Sequence, residues 1–191
     1  SAGTVHFNHG TKLNGHHIQE SKFYNHTLTG GTGDDIAWRD ATGSLLTVGG
    51  DLTIVEGQLK RNDNGDTLTV TGAVSVESGG VLGRLEATGA NNFGSLTIAS
   101  GGTYNATSGT TSLLNEAGGR AFKNEGTFTH NKGKIKVDFN IADHTAHTMV
   151  TANSSGDTFY DVEIDMNAAT HDVEFENDIT ILGDLTETQG H

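Results

Sequence analysis

The sequence contains no cysteine and no proline in its 191 residues. Without cysteine there are no disulfides, no iron–sulfur cluster, no cysteine-ligated zinc and no thiol chemistry. Without proline or a strict Gly-X-Y period, a collagen triple helix is excluded despite 27 glycines. Basic residues are few: 11 Lys and Arg stand against 24 Asp and Glu, a formal net charge of −13. A nucleic-acid binder needs a concentrated basic surface, and scattered cations do not supply one. Apolar residues make up only 33% of the chain, which by itself approaches the composition of a disordered polymer. No apolar run nears the roughly 18–20 residues that cross a bilayer, so membrane insertion is not expected. The opening Ser1-Ala2-Gly3-Thr4 lacks an initiator Met and a hydrophobic leader, which predicts a processed chain or a piece of a longer one. Helical signals are poor too. The run from Ser112 to Phe122 holds Leu113, Leu114, Glu116 and Ala117 but breaks at Gly118-Gly119.

Against these absences stands a repeat. Gly50-Asp51-Leu52-Thr53-Ile54-Val55-Glu56-Gly57 returns as Gly72-Ala73-Val74-Ser75-Val76-Glu77-Ser78-Gly79. It returns again as Gly94-Ser95-Leu96-Thr97-Ile98-Ala99-Ser100-Gly101, with starting glycines 22 residues apart each time. Looser copies run Gly3 to Gly10, Gly126 to Gly133 and Gly183 to Gly190. A fixed period of this size marks stacked repeats. Apolar residues alternate within each copy, as a strand with one buried face requires. Leu52, Ile54, Val74, Val76, Leu96 and Ile98 are therefore the expected core, with Thr53 outside. The preceding strands align Leu46 and Val48 with Leu68 and Val70, and after the turn Leu59 aligns with Val81. Glycine suits the corners between strands because it adopts positive φ without a side-chain clash.

The expected fold is all-β, a parallel β-helix or β-solenoid with ~22-residue coils; a β-sandwich or jelly roll is the alternative. Residues 1–191 form one elongated repeat domain. Residues 1–43 are less regular, 44–104 carry the regular coils, and 105–191 hold irregular coils with loops that end in a renewed repeat. A longer echo supports the last point: Phe23-Tyr24-Asn25 resembles Phe159-Tyr160-Asp161, and each precedes a Gly-Asp-Leu-Thr copy.

Candidate chemistry is sparse. Asn62-Asp63-Asn64-Gly65-Asp66 gathers hard oxygen donors around a glycine, so Asn62, Asn64 and Asp66 are the calcium candidates. The distal Glu of an EF-hand loop is missing, since Ala73 stands there, and a tight Asn-Gly turn is the preferred reading. Asp34-Asp35 after Gly30-Gly31-Thr32-Gly33 reads the same way. No other cofactor is expected. Among ten histidines, His144 and His147 have a spacing that suits a helix, and none is expected there. Glu163 with Asp165, and Glu174 with Glu176 and Asp178, alternate along strands in the manner of paired carboxylates, but no Lys or Arg lies among them. No catalytic residues are assigned. There is no phosphate-binding Gly-Lys-Ser/Thr loop and no Gly-x-Ser-x-Gly elbow. Trp38, Tyr24, Tyr104 and Tyr160 are candidates for a sugar-stacking surface. In the Phe23-Tyr24 and Phe159-Tyr160 pairs, the simpler reading is one core residue beside one outward residue.

The Gly-x-Leu-Thr-Ile copies, the Phe159-Tyr160-Asp161-Val162-Glu163-Ile164 block and the stretches Phe93 to Tyr104 and Asn124 to Asn131 carry a family resemblance. They look like repeat-rich structural proteins of environmental, particularly marine, bacteriophages. They are also similar to repeats of large secreted bacterial adhesins and autotransporter passengers. The resemblance covers most of residues 40–190 and implies an extracellular appendage, fibre or shell component, on a virion or a cell surface. It implies a non-enzymatic subunit joined to copies of itself through the solenoid ends, or to other virion or surface proteins. Two further functions are carried forward: an adhesin that binds glycans or host protein, and a polysaccharide-degrading β-helix enzyme.

Overall fold

The computed structural model describes residues 4–8, 16–18, 22–30, 35–38, 45–61, 64–114, 119–139, 147–166 and 172–189. Among them there is no helix, and every strand pairing is parallel. The chain is a parallel β-solenoid. A sandwich or jelly roll, built from antiparallel neighbours, does not describe it.

Three strands per coil stack into three walls. The first wall begins with Lys22–Phe23 and Leu45–Val48, and continues through the opening halves of Thr67–Val76 and Asn91–Ile98. It then runs through Thr110–Leu113, Lys134–Phe139, Asp161–Met166 and Leu185–Gln189. The second wall starts with Thr4–Asn8, Asn25–Thr29 and the opening half of Leu52–Arg61. The closing halves of Thr67–Val76 and Asn91–Ile98 follow, then Arg120–Asn124, His147–Thr151 and Asp172–Glu176. The third wall holds His16–Ile18, Asp35–Trp38, the closing half of Leu52–Arg61, Gly80–Leu82, Thr103–Asn105 and Thr127–Thr129. Asp157–Phe159 and Ile179–Ile181, which pair with each other, take the same place in later coils.

Alternation puts one residue in two inside. Leu52 pairs with Val74 and Val74 with Leu96, while Ile54, Val76 and Ile98 form the neighbouring column. All six are buried, and Thr53 between them is not. Each such side chain, covered by its own wall and by the coils above and below, contributes about 1.5–3 kcal/mol of apolar burial. Leu46 over Leu68 and Val48 over Val70 fill the first wall in the same way. Further along, the columns turn aromatic. Phe122 packs edge-on to Phe128 and Phe159 at 5.5 and 5.6 Å between ring centroids, and Tyr104 stacks on Phe128 at 6.0 Å.

The two glycine columns of the repeat have different causes. The closing glycines Gly57, Gly79 and Gly101 have φ of 86°, 87° and 84°, so they make the positive-φ corner between the second and third walls. The opening glycines answer to space instead. A Cβ on Gly94 would lie 2.6 Å from the backbone oxygens of both Thr71 and Gly72. One alignment from the sequence is corrected here: Leu59 stacks on Leu82, and it is Gln58 that meets Val81. Gly57 pairs with Gly80, not Gly79, because the later corner carries one more residue. That slip keeps a leucine inside on both rungs.

The coils also lengthen. Register steps in the second wall are 22 from Leu52 to Val74 and 22 from Val74 to Leu96. They become 26 to Phe122, 28 to Val150 and 25 to Phe175. The stacking columns continue although the sequence rhythm is lost.

Candidate functional site

The interior is not wholly apolar. Arg61 closes its strand on the third wall and turns inward, donating from Nη1 to Gly89 O at 3.1 Å and from Nη2 to Ala90 O at 3.2 Å. Its Nη2 also donates to Asn91 Oδ1. Asn91 Nδ2 donates to Tyr104 Oη at 2.7 Å, and Tyr104 Oη shares a hydrogen bond with Thr111 Oγ1 at 2.7 Å. Four polar side chains from successive coils thus bond to one another in the core. Burial pulls the Arg61 guanidinium down to about 10, partly offset by Tyr104 and the nearby Asp66 carboxylate, so it stays charged at neutral pH. Burial raises the Tyr104 phenol, against the pull of Thr111, Arg61 and Asn91. Tyr104 is wholly buried and therefore cannot stack on a sugar, contrary to the sequence expectation.

On the outside of the first wall, the carboxylates Glu163 and Asp165 have cationic neighbours after all. Their own strand has none, but the parallel strand one coil earlier supplies Lys134 and Lys136. Lys134 Nζ lies 2.7 Å from Glu163 Oε2. Lys136 Nζ lies 2.7 Å from Asp165, 3.0 Å from Asp138 and 3.4 Å from Glu163. The hydrogen bond from Lys134 leads in lowering the Glu163 pKa, and the hydrogen bond to Asp165 leads in raising that of Lys136. Groups held this way are fixed in their charged forms, which suits stacking coils better than moving protons. The sequence signal was present in two alternating stretches, Lys134-Ile135-Lys136-Val137 and Asp161-Val162-Glu163-Ile164-Asp165, but only register joins them. Glu176 likewise meets Arg120 at 3.2 Å and accepts from Thr151 Oγ1 at 2.6 Å.

The corner echo between the two ends of the sequence is a real geometric unit. Gly50 N donates to Tyr24 O, Asp51 N to Asn25 Oδ1 at 2.9 Å, and His26 N to Asp51 O at 2.9 Å. In the second copy Gly183 N donates to Tyr160 O at 2.8 Å, Asp184 N to Asp161 Oδ1 at 2.9 Å, and Val162 N to Asp184 O at 2.9 Å. The first copy joins the first wall to the second, whereas the later one joins the third wall to the first. The echo repeats a corner, not a position around the coil.

The structure parts the calcium candidates. Asn64 is exposed and its carbonyl accepts from Thr88 N at 2.7 Å and Gly89 N at 2.8 Å, while Asp66 is wholly buried beside Arg61. Asn62 lies outside the described residues, as do Asp34 and His144. Asn64 and Asp66 thus differ in exposure, one at the surface and the other in the core. Among the described residues no three His, Asp or Glu side chains converge as a metal group. His26 is a buried residue of the second wall. Tyr24 is 53% exposed, and Phe159 is buried beside Tyr160, whose ring stacks on His130 at 5.8 Å. Trp38 sits in strand register between Ile18 and Arg61.

One open cleft of about 230 Å³ lies at the corner between the second and third walls, lined by Asn124, Glu125, Thr151, Asn153, Ser154 and Asn177. Its asparagines are part of the scaffold. Asn124 Nδ2 donates to both oxygens of Asp157 at 2.8 and 3.0 Å, Asn153 Nδ2 to Gly126 O at 3.2 Å, and Asn177 Nδ2 to Ala152 O at 2.9 Å. No described helix is long and apolar enough to cross a membrane. No protein-family model, no curated protein and no solved structure matches this chain.

Proposed function

We propose that the chain is a non-enzymatic structural subunit or segment of an extracellular assembly, in the manner of a phage virion fibre or appendage. The observation that carries this reading is the stacked parallel solenoid itself, whose described strands pair only in parallel from coil to coil. Hydrogen-bonded coils resist bending and stretching along the stack, which suits a stiff extended part. The ion-paired state of Glu163 and Asp165 also supports a structural role, since a carboxylate held by lysine is a poor proton acceptor. Immunogold electron microscopy of the native source tests the proposal. Label at a fixed place on a virion, or along a surface filament, is expected; label confined to cell interiors would overturn it.

A second reading, a glycan-binding adhesin, is favoured by the polar cleft at Asn124, Thr151, Ser154 and Asn177. Hydroxyl and amide linings suit sugar hydroxyls. A glycan array distinguishes the readings: binding that is lost in Ser154→Trp, with the melting temperature retained, would place the adhesin first.

A further inference from the structure

We propose that Asn64-Gly65 is a self-modification site, at which the folded chain converts its own Asn64 to isoaspartate through a cyclic imide. The pair forms the corner between Leu52–Arg61, which ends on the third wall, and Thr67–Val76, which begins on the first. Both residues are exposed, and a Cβ on Gly65 would meet nothing within 4 Å. A glycine after asparagine leaves its peptide nitrogen unshielded, which is the first requirement for attack on the neighbouring carboxamide.

The second requirement is a nitrogen that gives up its proton, and here the fold contributes. Gly65 N belongs to the same peptide group as Asn64 O. That oxygen accepts from Thr88 N at 2.7 Å, Gly89 N at 2.8 Å and Thr88 Oγ1 at 3.1 Å, all from the corresponding corner of the next coil. When Gly65 N loses its proton to a solvent base, the negative charge is shared with this oxygen. Donors already aimed at it stabilise that charge in the way an oxyanion hole does.

The steps balance with water as the only co-reactant. Gly65 N bonds to Asn64 Cγ, the Cγ–Nδ2 bond breaks, and the side-chain nitrogen leaves as ammonia. Water then opens the imide at either carbonyl. Addition at Cγ breaks its bond to Gly65 N and yields aspartate. Addition at the former backbone carbonyl breaks that carbon's bond to Gly65 N instead, and the chain continues through Cγ as isoaspartate. The three donors sit on the backbone carbonyl, so they stabilise the oxyanion of the second route and favour isoaspartate. In the product this carbonyl has become a free carboxylate, and the same donors hold it by charge-assisted hydrogen bonds. The extra chain carbon enters a corner that Gly65 leaves open. Folding thus promotes the reaction and tolerates its product.

Asn153-Ser154 is the contrasting case. Asn153 Nδ2 donates to Gly126 O at 3.2 Å, and its Oδ1 accepts from Ser155 N at 3.1 Å and Ser155 Oγ at 3.0 Å. Its carboxamide is held by the scaffold and is not available for attack.

The test is peptide mapping by mass spectrometry of the native chain aged at mildly alkaline pH, with fragment ions that distinguish isoaspartate from aspartate. Cleavage after Arg61 and Arg84 releases residues 62–84, and the same peptide aged in isolation is the reference without the three donors. Asn64 is expected to convert faster in the native chain than in the peptide, with a higher ratio of isoaspartate to aspartate. Thr88→Val keeps both backbone donors and should slow the native reaction about two- to tenfold, leaving the rate in urea unchanged. Gly65→Ala is expected to show no conversion in the time that half of the wild type converts. An Asn64 that outlasts that of the peptide, or outlasts Asn153 in the same map, overturns the inference. A Thr88→Val protein, folded by its melting temperature, that reacts with the wild-type rate and product ratio also overturns it. Aspartate accumulating at position 64 of Gly65→Ala would mean direct hydrolysis of the side chain and would sink the cyclic route.

Discussion

Replacing Val76 with aspartate tests the stacked core at its centre. Val76 is fully buried, with Ile54 in the coil below and Ile98 in the coil above. Losing the valine side chain removes about 1.5–3 kcal/mol of apolar burial. The aspartate must also stay neutral there, and at pH 7, some three units above its ordinary pKa near 3.9, that costs about 4 kcal/mol. The sum, roughly 5–7 kcal/mol, is comparable to the whole stability of many domains. In a solenoid the loss is felt first by adjacent coils, so amide exchange should rise at Leu52–Ile54 and Leu96–Ile98 before it rises near Val162. Thermal and urea unfolding read the total, with Thr53→Asp on the same wall as the outward-facing control and an expected change within about 0.5 kcal/mol. The ionisation share has a definite pH dependence. The buried carboxyl has its folded pKa raised, so the penalty is absent below the unfolded pKa and grows as pH rises above it. Val76→Asp should therefore converge on Val76→Asn below about pH 4. An unchanged melting temperature, or a Thr53→Asp protein as damaged as Val76→Asp, would refute the inward assignment.

Three further outcomes follow from the geometry. Gly94→Ala should destabilise by about 1–3 kcal/mol through its clash with Thr71 and Gly72 oxygens, whereas Gly65→Ala, with nothing within 4 Å, should unfold near the wild-type urea midpoint. Arg61→Ala removes the donors to Gly89 O and Asn91 Oδ1, leaves Ala90 O with Leu68 N alone, and should cost about 3–5 kcal/mol in urea unfolding. Because the folded pKa of Glu163 is lowered, its contribution is present above the unfolded value near 4.3 and lost as pH falls through the folded value. The stability gap between wild type and Glu163→Gln should be about 1 kcal/mol or less at pH 7, as befits a partly exposed pair, and should close on acidification.

The alternation Leu52-Thr53-Ile54, repeated every 22 residues, was enough to read the parallel solenoid and its second wall, because burial on one face enforces period two and stacking enforces equal coils. Where corners changed length, reading failed. The extra residue at Gly79-Gly80 slid Val81 out from above Leu59, and the longer coils after Ile98 hid the column from Leu96 to Phe122 and Val150. The Arg61, Asn91, Tyr104 and Thr111 network was illegible for another reason. Arg61 belongs to a residue type usually found at surfaces and Tyr104 to one of intermediate burial, and their partners lie 30 and 7 positions away. The lysines beside Glu163 were missed because neighbours across a parallel sheet are a full coil apart in sequence.

The Phe-Tyr-Asx corner uses the backbone of both rungs and one side chain of the rung below, and it serves two different joints between walls. Such a joint is indifferent to where it sits around the tube, like a hinge that fits any door. A lineage can therefore add, remove or transplant whole turns by recombining at these joints, without redesigning the columns on either side. Tubes of different length become available from one small stock of parts.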